Sequence, residues 1–476
     1  MSLKIISTFG DHSSLYPLAT KDIVNSLGMT AYSYEEGGKD KESKLIDAKD
    51  RFIDEFGTEA IWLGGLPFFK WLANKTIYKA KNYNPDVDVR LISNKEQLQV
   101  AQKYADKFSK ELKQPEISDS LKKAEKNAKE FKGLFYGKFA AATILTLASY
   151  FTLTVLKQKY TDKQVYKRKM KQLKAEEQFK NNFKHNPTFK AFNLDAKNVK
   201  VAKSDKPSFK GNPGVEFLQS FMFNPVHNMF IIDAGITSER LSMARNKHER
   251  TEYAIKEGSL LFFMYIAGKY VQQGIEAVSD KLFKKPINLH VEFLSSKSFK
   301  NALKNDSINQ DLAEYKKLKS DKEIYEYLYD SKNENNLLVK AAKKSGIVKV
   351  IDESGNKPSA IQKFIDVFKI SAKPETGKVD PHQYINVDDI KDLAKNIEKF
   401  SEKQKSSGKS VEEFLKSATH FKVGSVIANI GISCLFLGFI VPSLMKKYKE
   451  KYYGEGSHIQ DGIEQKIEQN FKGKIA

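Results

Sequence analysis

Two stretches without a charged residue constrain this chain more than anything else in it. Phe139 to Leu156 and Val423 to Met445 are each free of Asp, Glu, Lys and Arg. At ~1.5 Å rise per residue the second spans a ~30 Å hydrocarbon core, and the first does so once Leu134 to Gly137 extend it. Lys138 then lies near one end of the first, where its stem can reach the headgroups. Lys422, Lys446, Lys447, Lys449 and Lys451 flank the second. Long apolar runs between basic clusters read as transmembrane helices rather than as buried helices of a soluble domain.

The formal net charge is +21. Such a balance suits nucleic acid or an anionic membrane surface. The lysines are spread through helical stretches with interleaved Glu, and no nucleic-acid module is present, so anionic lipid headgroups are the expected partner and nucleic acid is not. The single cysteine, Cys434, excludes an intrachain disulfide framework and a Cys-rich zinc site. Within its apolar run it reads as a small hydrophobe. No basic region leads an apolar core at the N-terminus, so a cleavable signal peptide is not expected.

Two shorter apolar segments, 56–74 and 258–278, each carry one lysine, Lys70 and Lys269. A charge inside a membrane helix marks a candidate site, so Lys70 and Lys269 form the candidate intramembrane or interfacial pair; snorkelling is the plainer alternative. Gly64, Gly65 and Pro67 could break the first segment, as in transporters with discontinuous helices. The segments also belong to an internal echo. Arg51 to Gly57 and Glu252 to Gly258 both lead into an aromatic-rich apolar run, and Pro85 and Pro286 follow the two glycines at equal spacing. Strand-like words follow, Asn84 to Ile92 and Lys285 to Leu294, and the long spans open with Phe131-Lys-Gly133 and Phe421-Lys-Val-Gly424. Shared order and spacing imply a duplication.

The resulting architecture is a mainly α multi-span membrane protein with two parallel internal repeats and a polar mixed α/β insert. Residues 1–50 form a polar segment. Residues 51–175 are the first repeat, with spans near 56–74 and 134–156, and 176–232 a turn-rich linker. Residues 233–452 are the second repeat, with spans near 258–278 and 423–445 around the insert 279–420; 453–476 are a tail. Basic flanks after both long spans put those flanks and both termini in the cytoplasm of a cell-membrane protein. Charged helices are expected over 95–132 with a break at Pro115, over 160–184, over 296–344, near 359–370, and over 388–403 capped by Asp388. A hairpin is expected over 347–356, an interruption of the apolar stretch Phe217 to Ile232 at Asn224-Pro225, and a flexible joint over Lys403 to Lys409.

Chemistry-bearing motifs are scarce. There is no phosphate loop, no dinucleotide fingerprint, no nucleophile elbow, no HExxH and no kinase set. The eight histidines, His227, His248, His290, His382 and His420 among them, are scattered without ligand spacing. Asp86 and Asp88 could pair as carboxylates but fit a strand with alternate residues facing water. The run Val379 to Glu398 lacks the alternating carboxylates and central Gly of a calcium loop. No catalytic, metal or cofactor site is expected. The stretches Lys21 to Glu36 and Arg51 to Ile92, within about the first fifth of the chain, resemble an uncharacterised group of bacterial predicted membrane proteins. That resemblance implies a bacterial origin and no activity. The expected function is a non-enzymatic membrane scaffold or envelope-organising protein whose insert 279–420 meets a protein partner. The alternative is a small-solute transporter or lipid-handling protein with a path between the repeats.

Overall fold

A computed structural model of the chain describes residues 16–37, 40–181, 225–267, 289–351 and 373–452, with isolated positions besides. The described residues are overwhelmingly helical. In chain order, α1 is Tyr16–Glu36, α2 Lys41–Ala73, α3 Lys95–Leu112, α4 Glu116–Lys126 and α5 Ala128–Asn181. Then come α6 Pro225–Met243, α7 Lys247–Leu261, α8 Val291–Leu294, α9 Lys297–Lys304, α10 Ile308–Lys316, α11 Asp321–Tyr329 and α12 Leu337–Ser345. The series closes with α13 Val387–Ser406, α14 Val411–Leu435 and α15 Val441–Tyr452. One-turn π-helices follow α2 at Asn74–Tyr78, α7 at Phe262–Ala267 and α14 at Phe436–Ile440.

Two helical runs, Ala128–Ala175 and Val411–Tyr452, are long and apolar enough to cross a membrane. Only 22% of each apolar window is buried. Ile144 is 65% exposed and Leu156 60% on the first, and Phe439 67% on the second. The core helix of a soluble domain hides such side chains from water.

The chain divides into two compact units. The first comprises Met1–Val24, Glu59–Ser149 and Leu260–Leu437; the second comprises Asn25–Thr58, Tyr150–Ser259 and Gly438–Ala476. Every boundary falls inside a helical run, so the same helices feed both units.

In the first unit the polar stretches fold together as a bundle. α3 packs on α4 and α11; α12 packs on α8, α10 and α13; α8 and α9 pack on α14. Four rings run through its core: Phe293 against Phe299 at 4.5 Å, Phe299 against Phe400 at 5.3 Å, and Phe400 against Phe414 at 5.2 Å between centroids. Local sequence sets the helix ends. Capping boxes at Ser320 with Glu323 and at Ser410 with Glu413 start α11 and α14, and Gly346 ends α12 in the left-handed conformation.

Several expectations need correction. No strand occurs among the described residues, so the regular elements of the expected mixed α/β insert are helices where they are described; Val350 and Val379 form one isolated bridge. The strand expected at 84–92 is a turn followed by a 3-10 turn at Leu91–Ser93. Val87, Val89 and Leu91 are buried, so the alternation is real. The described part of 285–294 ends in the short helix α8. Of the hairpin over 347–356, residues 352–356 lie outside the described residues, as does the helix near 359–370. The helix near 388–403 begins at Val387 under an Asn386 cap, which accepts from the Asp388 amide. The joint is shorter than expected, because α13 runs to Ser406 and Ser410 already caps α14. Pro225 opens α6, the first-turn position a proline tolerates, so the apolar stretch resumes as helix. α2 continues unbroken through Gly64, Gly65 and Pro67.

Candidate functional site

The second unit is built around a core of charge. Asp50, Arg51, Asp54 and Glu55 share one face of α2, at helical spacing. Glu249, Glu252, Tyr253, Lys256 and Glu257 do so on α7. α5 adds Lys157 and Thr161, one turn apart, α6 adds Arg240, and the α6–α7 turn adds Arg245. A face that an amphipathic helix normally fills with apolar side chains is here ionic, and its charged side chains are almost all buried.

The pairing is dense. Lys157 Nζ lies 3.0 Å from Asp54 and 3.6 Å from Asp50. Thr161 Oγ1 donates to Asp50 at 2.5 Å, and Arg245 reaches both Asp50 at 2.9 Å and Glu249 at 3.3 Å. Arg240 contacts Asp54 at 3.2 Å, donates to Thr58 Oγ1 at 3.0 Å and pairs with Glu257. Lys256, with no exposed surface, donates to Glu55 at 2.6 Å and Glu257 at 2.9 Å. Arg51 lies 3.9 Å from Glu252 and over the Tyr253 ring, and Tyr32 donates to Glu252 at 3.1 Å.

Isolated ions of this kind would cost several kcal/mol each to bury, so the arrangement is stable only as a complete set. Burial pushes the carboxyls of Asp50, Asp54 and Glu257 upward, but the adjacent cations outweigh it and hold all three below the usual range. Burial likewise opposes the Arg240 charge, and Asp54 and Glu257 more than restore it. Six carboxylates (Asp50, Asp54, Glu55, Glu249, Glu252, Glu257) meet five cations (Arg51, Lys157, Arg240, Arg245, Lys256). Because cations already occupy these carboxylates, they do not form a metal centre; no cluster that could hold a metal occurs among the described residues. The network locks helices together.

A second constellation lies in the first unit. His382 Nδ1 is 2.9 Å from Asp380 Oδ1, and Nε2 is 2.8 Å from Ser120 Oγ. Serine, histidine and aspartate in that order suggest a hydrolase triad. The hydrogen-bond geometry points elsewhere. Nε2 is also 2.9 Å from the Ile117 carbonyl oxygen, which can only accept, and the Ser120 hydroxyl donates to the Glu116 carbonyl at 2.6 Å. Nε2 therefore carries a proton and cannot take one from Ser120. Burial opposes the His382 charge, but Asp380 outweighs it and raises the pKa above the usual value. The triad-like set is a staple holding the 380–383 loop on α4, helped by the Asp88 amide, which donates to the His382 carbonyl at 2.9 Å.

Of the pair singled out by sequence, Lys70 sits near the end of α2 with Nζ 5.1 Å from the centroid of the Phe139 ring. Lys269 lies outside the described residues. Lys138, which sequence reading placed at a span end, stacks over Tyr78 at 4.3 Å and donates to Asn74 Oδ1 at 3.0 Å. Asp86 is exposed, and Asp88 is held by Arg90 at 2.7 Å, so the two do not form an acid pair. Cys434 is half-buried, with the buried Lys21 acting on it electrostatically.

No family model, curated protein or solved structure matches the chain. Sequence reading passed over the ionic network, although a signal was present: charges of both signs at helical spacing just before each short apolar segment.

Proposed function

We propose that the chain is an integral membrane protein that acts as a non-enzymatic scaffold, held by four spans in two parallel repeats and presenting a polar helical bundle to a partner. The observation that carries this reading is that stretches on either side of the first long span and its return, 76–133 and 289–406, fold as one body. α3 lies on α11, and His382 bonds the Ile117 carbonyl. If α5 crosses the bilayer, the chain must cross back before residue 289, and 258–278 is the apolar segment available for it. The exposed apolar bands on α5 and on α14 and α15 support insertion.

The duplication gains support from the ionic network. Aligning Gly57 with Gly258 matches Arg51 to Glu252 and Glu55 to Lys256. These matched positions touch each other, at 3.9 Å and 2.6 Å. Contact between equivalent residues is what two copies related by a two-fold axis produce.

The test combines extraction and labelling. In a Cys434→Ser background, the protein resists alkaline carbonate extraction. An impermeant thiol reagent reaches Ser93→Cys and Ser331→Cys from one side of the membrane and Lys171→Cys from the other. Release by carbonate, or labelling of all three from one side, overturns the reading. The transport alternative draws on Lys70, a lysine in an apolar segment with no ion pair among the described residues. Solute flux in proteoliposomes that Lys70→Gln abolishes would favour it over the scaffold.

A further inference from the structure

In the first unit, two lysines meet at one end of the apolar segments without an anion between them. Lys70 comes from the last turns of α2 and Lys138 from α5. Lys70 lies over the Phe139 ring, which is next in sequence to Lys138. Among the described residues neither makes an ion pair. The one carboxylate whose field reaches Lys138 is the exposed Asp86. The surroundings are aromatic: Lys138 lies 4.3 Å from the Tyr78 ring centroid and 5.6 Å from that of Phe135. Tyr78 is 1% exposed, and its hydroxyl has no partner among the described residues. Gly137, beside Lys138, faces open space.

The second unit treats its cations differently. Lys157, Lys256, Arg240 and Arg245 each have at least one carboxylate within 4 Å. Two half-buried like charges, drawn together without a counter-charge, call for an anion from outside the chain. Their place, at the end of one apolar segment and the start of a long span, is where headgroups lie if the chain is inserted as proposed above.

We infer that Lys70 and Lys138 form a clasp for the phosphate group of an anionic lipid, with the Tyr78 hydroxyl as a neutral donor beside it. The site rests on the membrane reading and gives it a lipid specificity. Lysine suits the task as a point charge with freely turning donors, and the aromatic faces hold both stems without supplying a competing carboxylate.

Native mass spectrometry of the full chain in detergent, with phosphatidylglycerol and phosphatidylcholine offered together, tests this. The wild type should retain one phosphatidylglycerol in preference to phosphatidylcholine by about thirtyfold, as two interfacial lysines imply. K70Q/K138Q should lose the preference and K70R/K138R should keep it. K75Q/K79Q, which removes two exposed lysines from the same end of α2 and its π turn, should also keep it. Equal retention of the two lipids by the wild type overturns the site, as does an equal loss in K75Q/K79Q, which would indicate diffuse attraction. Displacement of the lipid by millimolar inorganic phosphate overturns the lipid as source. If K70Q/K138Q does not fold, the wild-type competition and K70Q alone still decide. Carbonate extraction separates the two ideas: a chain that stays in the membrane yet shows no lipid preference refutes the clasp alone.

Discussion

Lys256 shows how far a single side chain can be committed. Fully buried between Glu55 and Glu257, it neutralises two carboxylates that have no route to water. Lys256→Met should lower stability by about 3–5 kcal/mol, read as a fall in Tm of the detergent-purified protein, because the buried set of carboxylates, already one in excess of its cations, loses a further cation. Adding Glu257→Gln should recover part of that loss; no recovery would mean that the lysine acts through packing. His382 is the residue for a pH experiment. Its folded pKa is raised above 6.5, so its contribution is fully present below about pH 6.5 and fades as pH rises through the folded value. Asp380 is held low, chiefly by His382 against the opposing effect of burial, so its contribution fades on acidification instead. Urea stability of the first unit, followed between pH 6 and 9, should decline, and His382→Gln should flatten that slope. Neither residue was legible as special. Lys256 reads as one more lysine in a basic chain, and His382 depends on a carbonyl 265 positions away. Lys70, by contrast, stood out in the sequence as a candidate, because a charge inside an apolar segment announces itself without a partner.

At the scale of elements, helices were legible and strands misleading. The break at Pro115, the long basic continuation of the first apolar run and the run of short helices over 296–344 all follow from periodicity and proline placement. The strand at 84–92 failed because burial of every second residue also arises when a turn and a 3-10 turn lie across a helical bundle, and no neighbouring strand among the described residues pairs with it. The Ser410 capping box, found only in the structure, starts α14, and Ser410→Ala should cost about 1 kcal/mol in Tm-derived stability. A close approach of backbones was not readable at all. A Cβ on Gly28 of α1 would fall on the carbonyl oxygen of Gly438, in the π turn before α15. Gly28→Val should destabilise the protein by about 1–3 kcal/mol, seen as a lower Tm, whereas Gly424→Ala, which meets nothing within 4 Å, should leave Tm unchanged.

For the whole molecule, the two apolar runs were plain from composition, while the packing of distant polar stretches into one bundle was not, since it depends on contacts such as Lys103 with Glu326 and Asn94 with Tyr325. If the two repeats proposed above are copies related by a two-fold axis, the ion pairs Arg51–Glu252 and Glu55–Lys256 carry a consequence for assembly. Were the first half of the chain to meet a copy of itself across that axis, Arg51 would face Arg51 and Glu55 would face Glu55; the second half would set Glu252 against Glu252 and Lys256 against Lys256. Only the unlike halves bring opposite charges together, so the sequence rejects self-association as well as rewarding the native match. Residues 1–200 and 201–476, made as separate polypeptides in one cell, should therefore purify as a one-to-one pair, and neither should form a stable dimer alone. Exchanging charges in one half, with Arg51→Glu and Glu55→Lys, should break that pairing, and Glu252→Arg with Lys256→Glu in the other should restore it.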